Sequence, residues 1–371
     1  MDFGTVRRIA GHFATEGSFI SAREYGDGHI NDTFLLTYQT QKGQNEYVLQ
    51  RINKNIFTDS EGLMANMVAV TDYIRGIVMA AGGDPLREVL TIVPTRDGKS
   101  HIVDDEGYCW RTTLLVKDVL SYSVVVDGDQ LLETGRAFGH FVRLLDGFDA
   151  SSLRETIPDF HNTKKRFETF RRAVEEDKWG RREDAMSEIE FVMRYETFVS
   201  KLVDELAAGE LPLRVTHNDT KINNVLIDKD TRKAICVVDL DTVMPGLVAY
   251  DFGDSIRSGT NPADEDERDL SLVRMDIGLY EAFAKGFLAE AGPILTENEI
   301  LSLPVGAKMI TLECGMRFLT DYLEGDHYFK IHRPAQNLDR ARTQFKMVAD
   351  MDKCWDEMVD IARRYGKVET M

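Results

Sequence analysis

The sequence predicts an α+β protein with two lobes, a small N-terminal lobe built on an antiparallel sheet and a larger, mainly helical C-terminal lobe. Three observations predict this fold class. Strand-like segments separated by polar turns dominate residues 1–116, whereas long amphipathic helical patterns dominate residues 117–371. A short group of strands interrupts the helical region at 213–239. No Pro-, Gly- or Ser-rich linker separates the two parts, so we expect two lobes packed along a cleft.

The elements of the N-terminal lobe follow from the spacing of its apolar residues. Apolar positions three and four apart predict a helix over 2–14 and another over 61–80. Runs of β-branched, aromatic and leucine residues bounded by polar turns predict strands at 34–38, 47–50, 90–94, 101–103 and 108–116. We expect the first two strands to form a hairpin through the turn at 40–45, and the next two to pair around Asp97-Gly98.

The C-terminal lobe shows helical periodicity over most of its length. Amphipathic helices are predicted at 131–145, 188–206, 271–290, 300–323 and 341–364. The strands that interrupt them are predicted at 213–216, 225–228 and 234–238, with a polar loop after the first and a turn after the second. These short strands place the most polar loop of the chain between two apolar segments.

Composition limits the classes of function. The 371 residues include 45 Lys and Arg against 63 Asp and Glu, a net charge of −18, which repels nucleic acid and anionic membranes. We identify no signal peptide and no apolar run near the roughly 20 residues of a membrane span, so we expect a cytoplasmic protein. The four cysteines form no C-x-x-C motif, and Cys109 and Cys236 lie in apolar runs typical of reduced core thiols.

The polar loop of the C-terminal lobe carries the strongest chemical signal. His217, Asp219 and Asn224 have the H-x-D-x4-N spacing of the phosphoryl-transfer loop of protein kinases, and Asp239 follows the next strand pair. In such a loop the Asp acts on the attacking hydroxyl, while the Asn and the later Asp supply hard oxygen ligands for Mg²⁺. The alternative is that His217 and Asp219 are turn or capping residues, but acids on both sides of an apolar hairpin are poor core residues.

Three further features are open to two interpretations each. Gly26 and Gly28 stand before the first hairpin, where their backbone N–H groups can approach a phosphate or simply form a turn. Asp251 can support the catalytic loop by accepting backbone hydrogen bonds, although its Asp-Phe-Gly context resembles a metal-binding motif. Arg317 is the polar exception on an apolar helix face, either a surface ion-pair partner or a residue of a substrate cleft.

Beyond these motifs, the chain resembles a known enzyme family. The loop and the Asp239-Leu-Asp241 sequence are similar to those of the aminoglycoside phosphotransferase and choline kinase superfamily, which has a bilobed protein-kinase-like fold. The resemblance is closer to the N-acetylhexosamine 1-kinases over four strings, at 25–31, 214–221, 251–257 and 313–319. It implies ATP- and Mg²⁺-dependent phosphorylation of the anomeric hydroxyl of N-acetylglucosamine or N-acetylgalactosamine.

The resemblance also implies roles for individual residues. Asp219 would be the catalytic base, supported by His217 and Asp251. The Mg²⁺ ligands would be Asn224, Asp239 and Asp241. The residues contacting the sugar would be His29, Asn31, Arg317 and Tyr328. The nucleotide would contact Gly26, Gly28, Gln50 and Val116, with adenine near 116–119. We expect no partner beyond the sugar and ATP, and a monomer.

One position departs from the superfamily pattern. The lysine expected on the third strand is replaced by Gln50, and its glutamate partner by Asn66, so a neutral pair would stand in place of an ion pair. Arg51 follows Gln50 but points to the opposite face of a strand. Two alternatives therefore stay open. One is a kinase of the same fold acting on another sugar, an amino alcohol or an aminoglycoside, and the other is a kinase-like binding protein without catalysis.

Overall fold

The computed structural model describes residues 3–26 and 30–368 and divides them into two compact units. Unit 1 contains the described residues through Leu120, together with Gly147–Pro158 and Leu226–Met244. Unit 2 contains Ser121–Asp146, Asp159–Val225 and the described residues from Pro245 onward. The boundary predicted between residues 116 and 117 thus lies just before the chain first leaves unit 1, and two later segments also belong to that unit. The predicted Gly28 and His29 lie outside the described residues.

Unit 1 is built on an antiparallel sheet. Its strands are β1 (Ser18–Glu24), β2 (Asp32–Thr40), β3 (Gly43–Arg51), β4 (Ile92–Val93), β5 (Ile102–Val103) and β6 (Cys109–Leu114). The order is β1-β2-β3-β6-β4, and β5 also pairs with β6. Helix α1 (Phe3–Ala10) contributes Val6 and Ile9 to the core beneath the sheet, which also contains Leu36 and Trp110. The α+β class predicted from the sequence is confirmed.

The β2–β3 hairpin forms as predicted, whereas the second predicted pair does not. Thr40 pairs with Gly43 across a two-residue loop, and Gly43 has φ +128°, a conformation that favours glycine. Strands β4 and β5 both pair with β6 rather than with each other. Two segments flanking a turn look like a hairpin in sequence, but here a third strand provides the backbone partners of both.

Helix α2 (Ser60–Ala80) is the second predicted helix of this unit. By length and composition alone it could cross a membrane, although Glu61, Asp72 and Arg75 interrupt its apolar residues. Nine of its residues are buried in the structure, including the polar Asn66 and Thr71. The Asn66 side chain makes three hydrogen bonds to backbone groups of Arg154 and Val243. A core helix of this kind needs its apolar residues for packing within the unit.

A second small sheet completes unit 1, and the remaining strands lead to the helices of unit 2. Strands β7 (Val119–Leu120), β8 (Arg214–Thr216), β9 (Val225–Asp228), β10 (Ala234–Val237) and β11 (Met244–Gly246) follow in the chain. The order β10-β9-β7 forms one sheet, and β8 pairs with β11. All four cysteines are free, and Cys109 and Cys236 are buried as predicted.

Unit 2 is mainly helical. Its helices are α3 (Gly128–Leu144), α4 (Thr163–Glu176), α5 (Met186–Met193), α6 (Lys201–Ala207), α7 (Val248–Gly259), α8 (Ile277–Ala291), α9 (Glu297–Leu323), α10 (Gln336–Lys353) and α11 (Trp355–Gly366). The long α9 contributes to two apolar clusters of the unit, with Leu312 and Leu319 in one and Val305 and Met309 in the other. Helix α9 begins with a capping box, in which Thr296 and Glu299 satisfy each other's backbone N–H groups.

Two helices predicted as continuous are each divided. The predicted 188–206 helix is α5 and α6, separated by turns in which Val199 is still buried. The predicted 341–364 helix is α10 and α11, which are divided at Cys354. The apolar residues keep nearly helical spacing across both interruptions, so periodicity did not reveal the breaks.

Helices α7 and α9 approach each other closely because glycines lie at their crossing. A Cβ at Gly306 would lie 2.0 Å from the backbone oxygen of Ala249, and one at Gly253 would lie 2.4 Å from the oxygen of Gly306. Neither glycine has a positive φ, so the absence of a side chain, rather than backbone freedom, is what the crossing requires. The glycines therefore fix the position of α7, two residues from Asp251.

Gly306→Ala is expected to lower the free energy of unfolding by about 2–3 kcal/mol, because backbone atoms must separate to admit the methyl group. Gly76→Ala provides the matched control, since Gly76 is an exposed residue of α2 and a Cβ there meets nothing within 4 Å. That substitution should be neutral or stabilise by about 0.5–1 kcal/mol. Denaturant unfolding of both variants checks this, and equal effects at the two sites would contradict the backbone-contact argument.

Candidate active site

The loop from His217 to Asn224 lies in unit 2 between β8 and β9, and a buried acid holds its first residues. The Asp251 carboxylate accepts the backbone N–H of His217 at 2.8 Å and that of Asn218 at 2.7 Å. Asn218 has φ +63°, which asparagine tolerates better than most residues. Asp251 is 1% exposed, and burial raises its pKa to about 6, although the two backbone hydrogen bonds oppose this shift. The carboxylate thus fixes the entrance to the loop.

The His217 side chain packs into the helical core and is fully buried. Its ring makes edge contacts with Phe138 and Phe141 of α3, with centroids 5.6 and 5.9 Å away. The ring Nδ1 lies 3.3 Å from the backbone nitrogen of Asp219, so the imidazole accepts that N–H within the loop. His217 therefore joins the loop to α3, while Asp251 joins it to α7.

Three side chains of different charge meet at the turn of the loop. The Asp219 side chain is 23% exposed and forms a 2.9 Å ion pair with Lys221. Asn224 donates its side-chain amide to the Asp219 backbone oxygen at 2.8 Å and to its carboxylate at 3.4 Å. Burial lowers the pKa of Lys221, but the carboxylates of Asp219 and Asp254 outweigh this effect and raise it. The arrangement presents one carboxylate beside a stable cation.

Asp239 and Asp241 lie in unit 1, at a short helical turn that follows β10. Asp239 precedes the turn with φ +62° and is exposed to solvent. Asp241 is buried, and its carboxylate accepts the Asn31 side-chain N–H at 2.7 Å and forms an ion pair with Arg111. The two acids of the predicted metal set therefore differ in environment, since Asp239 is exposed and Asp241 is buried beside Arg111 and Asn31.

The predicted Gln50–Asn66 pair does not form. Gln50 accepts two hydrogen bonds from Arg111, at 3.0 Å from Nε and 2.8 Å from Nη2. These residues are opposite each other on β3 and β6. Asn66 instead binds the backbone of Arg154 and Val243. A buried arginine on the neighbouring strand thus lies beside Gln50, the position where a lysine was expected.

The glycine-containing segment borders a cavity of unit 1 of about 350 Å³. Gly26 lies at this cavity with φ +78°, and a Cβ there would meet nothing within 4 Å. Asn31 also lines it, but its amide oxygen accepts the Asn53 backbone N–H at 2.9 Å and its nitrogen binds Asp241. Val116 is buried in the same unit after β6. The nucleotide and sugar contacts predicted for these residues stay predictions.

Arg317 and Tyr328 meet in one pocket of unit 2, with a volume of about 130 Å³. The Arg317 guanidinium lies 5.7 Å from the centre of the Tyr328 ring and donates to its hydroxyl at 3.4 Å. Asp321 holds the segment that carries the tyrosine by accepting three consecutive backbone N–H groups, from His327 to Phe329. Arg166 also lines the pocket, and burial, together with the charge of Arg317, lowers its pKa. Asp321 and Glu324 line it as well, so the pocket combines two guanidinium groups, two carboxylates and aromatic rings.

Sequence reasoning missed Arg111, Lys221 and Asp321 as parts of these sites. Lys221 could have been identified, because a cation two residues after the proposed base is close to it in any tight loop. Arg111 and Asp321 could not, since an arginine in a strand and an aspartate on a helix are ordinary surface residues in a sequence. The roles of Arg111 and Asp321 become visible only from the groups that they contact in the structure.

Within residues 3–26 and 30–368, no group of three or more His, Cys, Asp or Glu side chains is arranged to hold a metal ion. Amide oxygens are also good ligands for Mg²⁺, and Asn224 turns its nitrogen toward Asp219. Among the described residues, its amide oxygen accepts no hydrogen bond. An amide oxygen of Asn224 and the exposed carboxylate of Asp239 have the hard donor chemistry that Mg²⁺ requires.

The fold is shared with several solved phosphotransferases. An aminoglycoside phosphotransferase from Alicyclobacillus acidocaldarius aligns with a TM-score of 0.60 at 12% identity, over 98% of this chain and 96% of that one. A choline kinase from Cryptosporidium parvum aligns with a TM-score of 0.53 at 14% identity, over 99% and 100%. A spectinomycin phosphotransferase in complex with ADP and spectinomycin aligns with a TM-score of 0.51 at 12% identity, over 98% of each chain.

These identities establish the fold alone, and the family follows from the sequence match. Residues 21–284 match the model of the phosphotransferase enzyme family, which is more than half of the chain. The match contains the whole loop from His217 to Asn224, as well as Asp239 and Asp251. The chain therefore belongs to the phosphotransferase enzyme family.

Proposed function

We propose that this phosphotransferase uses ATP and Mg²⁺ to phosphorylate the anomeric hydroxyl of N-acetylglucosamine or N-acetylgalactosamine. The observation that carries the proposal is the loop of unit 2, in which the Asp219 carboxylate lies beside Lys221 and Asn224 and is fixed through Asp251. The ADP bound to the spectinomycin phosphotransferase of the same fold supports a nucleotide as the second substrate.

Asp219 is the catalytic base in this proposal. Its carboxylate accepts the proton of the anomeric hydroxyl as that oxygen bonds to the γ-phosphorus of ATP. The bond from the γ-phosphorus to the bridging oxygen breaks, and ADP leaves with that electron pair. Lys221 places a positive charge 2.9 Å from Asp219, where it can balance negative charge on the transferred group. Positioning and charge stabilisation supply most of the rate in reactions of this type.

Asn224 and Asp239 are the proposed metal-holding residues. When bound, Mg²⁺ would neutralise charge on the ATP phosphate oxygens. Asn224 contributes through the end of its amide that is not used for Asp219, and this hydrogen bond orients the oxygen. Removing the amide would therefore affect both the metal and the base.

The pocket of Arg317 and Tyr328 has polar groups that suit an uncharged sugar. Arg317 and Arg166 line it together with Asp321 and Glu324, so its formal charges balance and it has no excess of carboxylates to attract choline or an aminoglycoside. The hydroxyl and acetamido oxygens of an N-acetylhexosamine are acceptors for those groups, and the Tyr328 ring offers an apolar surface to the sugar ring.

An acceptor panel tests the proposal. ADP release is measured with N-acetylglucosamine, N-acetylgalactosamine, their 1-O-methyl glycosides, choline and kanamycin. We expect turnover with the two free sugars and none with the methyl glycosides, because the reacting hydroxyl is blocked. Turnover with choline or kanamycin alone would overturn the sugar assignment, and no ADP release with any acceptor would favour a binding protein.

A pair of variants tests whether the pocket of Arg317 and Tyr328 binds the acceptor. Arg317→Gln is expected to raise KM for the sugar by about tenfold, with little change in KM for ATP, because the lost contacts are made to the acceptor. Arg171→Gln, which changes a half-exposed arginine of α4, should leave both constants unchanged. If Arg317→Gln raises only the KM for ATP, the pocket does not bind the acceptor.

A further inference from the structure

We propose that Arg111 is a positioning residue that fixes the turn carrying Asp239, and that Asp241 is its anchor rather than a ligand of the metal ion. This inference rests on the proposed function, because it concerns how the chain would hold the Mg²⁺–ATP complex. All the residues that carry it belong to unit 1.

Arg111 is held on two sides in the interior of unit 1. Its side chain is 1% exposed, which is rare for an arginine without an ionic partner. Nε and Nη2 donate to the single side-chain oxygen of Gln50, and Nη1 forms the ion pair with Asp241. Gln50 thus orients the guanidinium, and the guanidinium holds Asp241. A lysine, which has one point of charge and no planar fork, could not make both sets of contacts in this geometry.

Asp241 has its carboxylate oxygens directed at protein groups. One oxygen forms the ion pair with Arg111, and the other accepts the Asn31 side-chain N–H at 2.7 Å. The side chain is 4% exposed. A metal ion would have to displace one of these partners and leave a buried cation or amide without its acceptor. Asp239, two residues earlier, is exposed and is the acid of this turn that can reach a ligand.

The far side of the turn is also attached to the unit. Asn66 of α2 donates its side-chain N–H to the backbone oxygen of Val243 at 3.0 Å. Asn31, which binds Asp241, is itself fixed by the Asn53 backbone N–H at 2.9 Å. The turn after Asp239 is therefore connected to β3 and β6 through Gln50 and Arg111, and to α2 through Asn66.

The charge balance of the turn gives Arg111 a second role. Two carboxylates lie within three residues of chain, at Asp239 and Asp241. The Arg111 cation cancels the charge of Asp241 within the interior, so Asp239 is left as the acid that attracts a divalent cation. This arrangement accounts for a neutral Gln50 at the position where a lysine was expected, because the cation stands on the adjacent strand and acts through Asp241.

The test measures how Mg²⁺ changes nucleotide affinity. A non-hydrolysable ATP analogue is titrated by calorimetry in saturating Mg²⁺ and in EDTA. The dissociation constant in EDTA divided by that in Mg²⁺ gives the metal contribution to nucleotide affinity without turnover. The variants are Arg111→Gln, Arg111→Lys, Asp241→Asn and Asp239→Asn. Arg96→Gln is the matched control, since Arg96 is an exposed arginine of the same unit that donates to the Gly11 backbone oxygen.

Arg111→Gln and Asp241→Asn are expected to reduce the ratio by about tenfold, as expected for groups that orient a metal ligand. Asp239→Asn should reduce it further, because it removes the ligand itself. Arg111→Lys keeps the charge and should recover part of the loss, while affinity in EDTA and the Arg96→Gln values stay within about twofold of wild type. An unchanged ratio in folded Arg111 variants would overturn the proposal, and so would an equal loss in EDTA, which indicates direct contact with the nucleotide.

A double variant keeps the test decisive if single variants fold poorly. Arg111→Met with Asp241→Leu replaces a buried ion pair by apolar groups, a change that often preserves stability. We expect a melting temperature near wild type with the Mg²⁺ ratio still reduced about tenfold. If the double variant recovers the ratio as well, the pair serves the fold only and the proposal is wrong. Failure of the proposed function is different, because the wild type itself would then show no effect of Mg²⁺ and no ADP release.

Discussion

Asp219→Asn should lower kcat by about 10²–10⁴-fold with little change in KM for either substrate. The amide has the shape of the carboxylate but cannot accept the proton of the attacking hydroxyl. The loop should keep its structure, because the main hydrogen bond from Asn224 goes to the backbone oxygen of Asp219 and not to its side chain. Steady-state ADP release over both substrate concentrations gives the two constants.

The control for this experiment is Asp264→Asn. Asp264 is an exposed aspartate of unit 2 in a loop outside the helices, so the same chemical change there should leave kcat unaltered. Equal melting temperatures for wild type and Asp219→Asn exclude unfolding as the cause of a loss. Turnover near wild type in Asp219→Asn would remove Asp219 from the mechanism and leave the family assignment intact.

Asp251→Asn should lower both stability and turnover. Each carboxylate oxygen accepts one backbone N–H, so an amide in its place turns an NH₂ group toward one of these donors. An unmet buried N–H and the loss of a charged acceptor together cost about 2–4 kcal/mol of unfolding free energy. We expect kcat to fall by about 10–100-fold, because the start of the loop that carries Asp219 is no longer fixed.

Denaturant unfolding and single-turnover kinetics on the same sample separate these two effects. The Asp264→Asn variant again serves as the control, since it makes the same chemical change at an exposed position. A variant that loses stability but retains the wild-type kcat would show that Asp251 supports the fold alone. A variant with normal stability and reduced kcat would locate the effect in the loop.

The fold class was predictable because the apolar residues of β2, β3 and most long helices have distinct periods. Strand β1 was missed since nearly all of its residues are exposed, so no buried alternation marks it. Helix α7 was missed for a different reason, because Asp251, Gly253 and Asp254 have low helix propensity and break its sequence into short segments. Helix α4 is rich in Lys, Arg and Glu, and its buried stripe consists of Phe167 and Phe170 with the small residues Thr163 and Ala173, so it has few strongly apolar residues to mark it.

The candidate site divides in the same way. The spacing of Asp219 and Asn224 could be recognised because the chemistry of phosphoryl transfer fixes a short loop, and both residues lie within it. Arg111 and Asp241 are 130 positions apart, and the sequence around each residue does not indicate that the two form an ion pair. Long-range ion pairs depend on how strands and turns assemble, which a single sequence does not reveal.

Helix α9 has a consequence for redesigning the acceptor. Gly306 on this helix packs directly against α7, the helix that contains Asp251. Arg317 on the same helix lines the pocket. At 1.5 Å per residue these two positions are about 16 Å apart along one rigid rod. One inserted residue between them would turn Arg317 by about 100° relative to Gly306. Variants that accept new substrates are therefore best made by substitutions that keep the length of α9. Such substitutions leave the distance between the pocket and the catalytic loop unchanged.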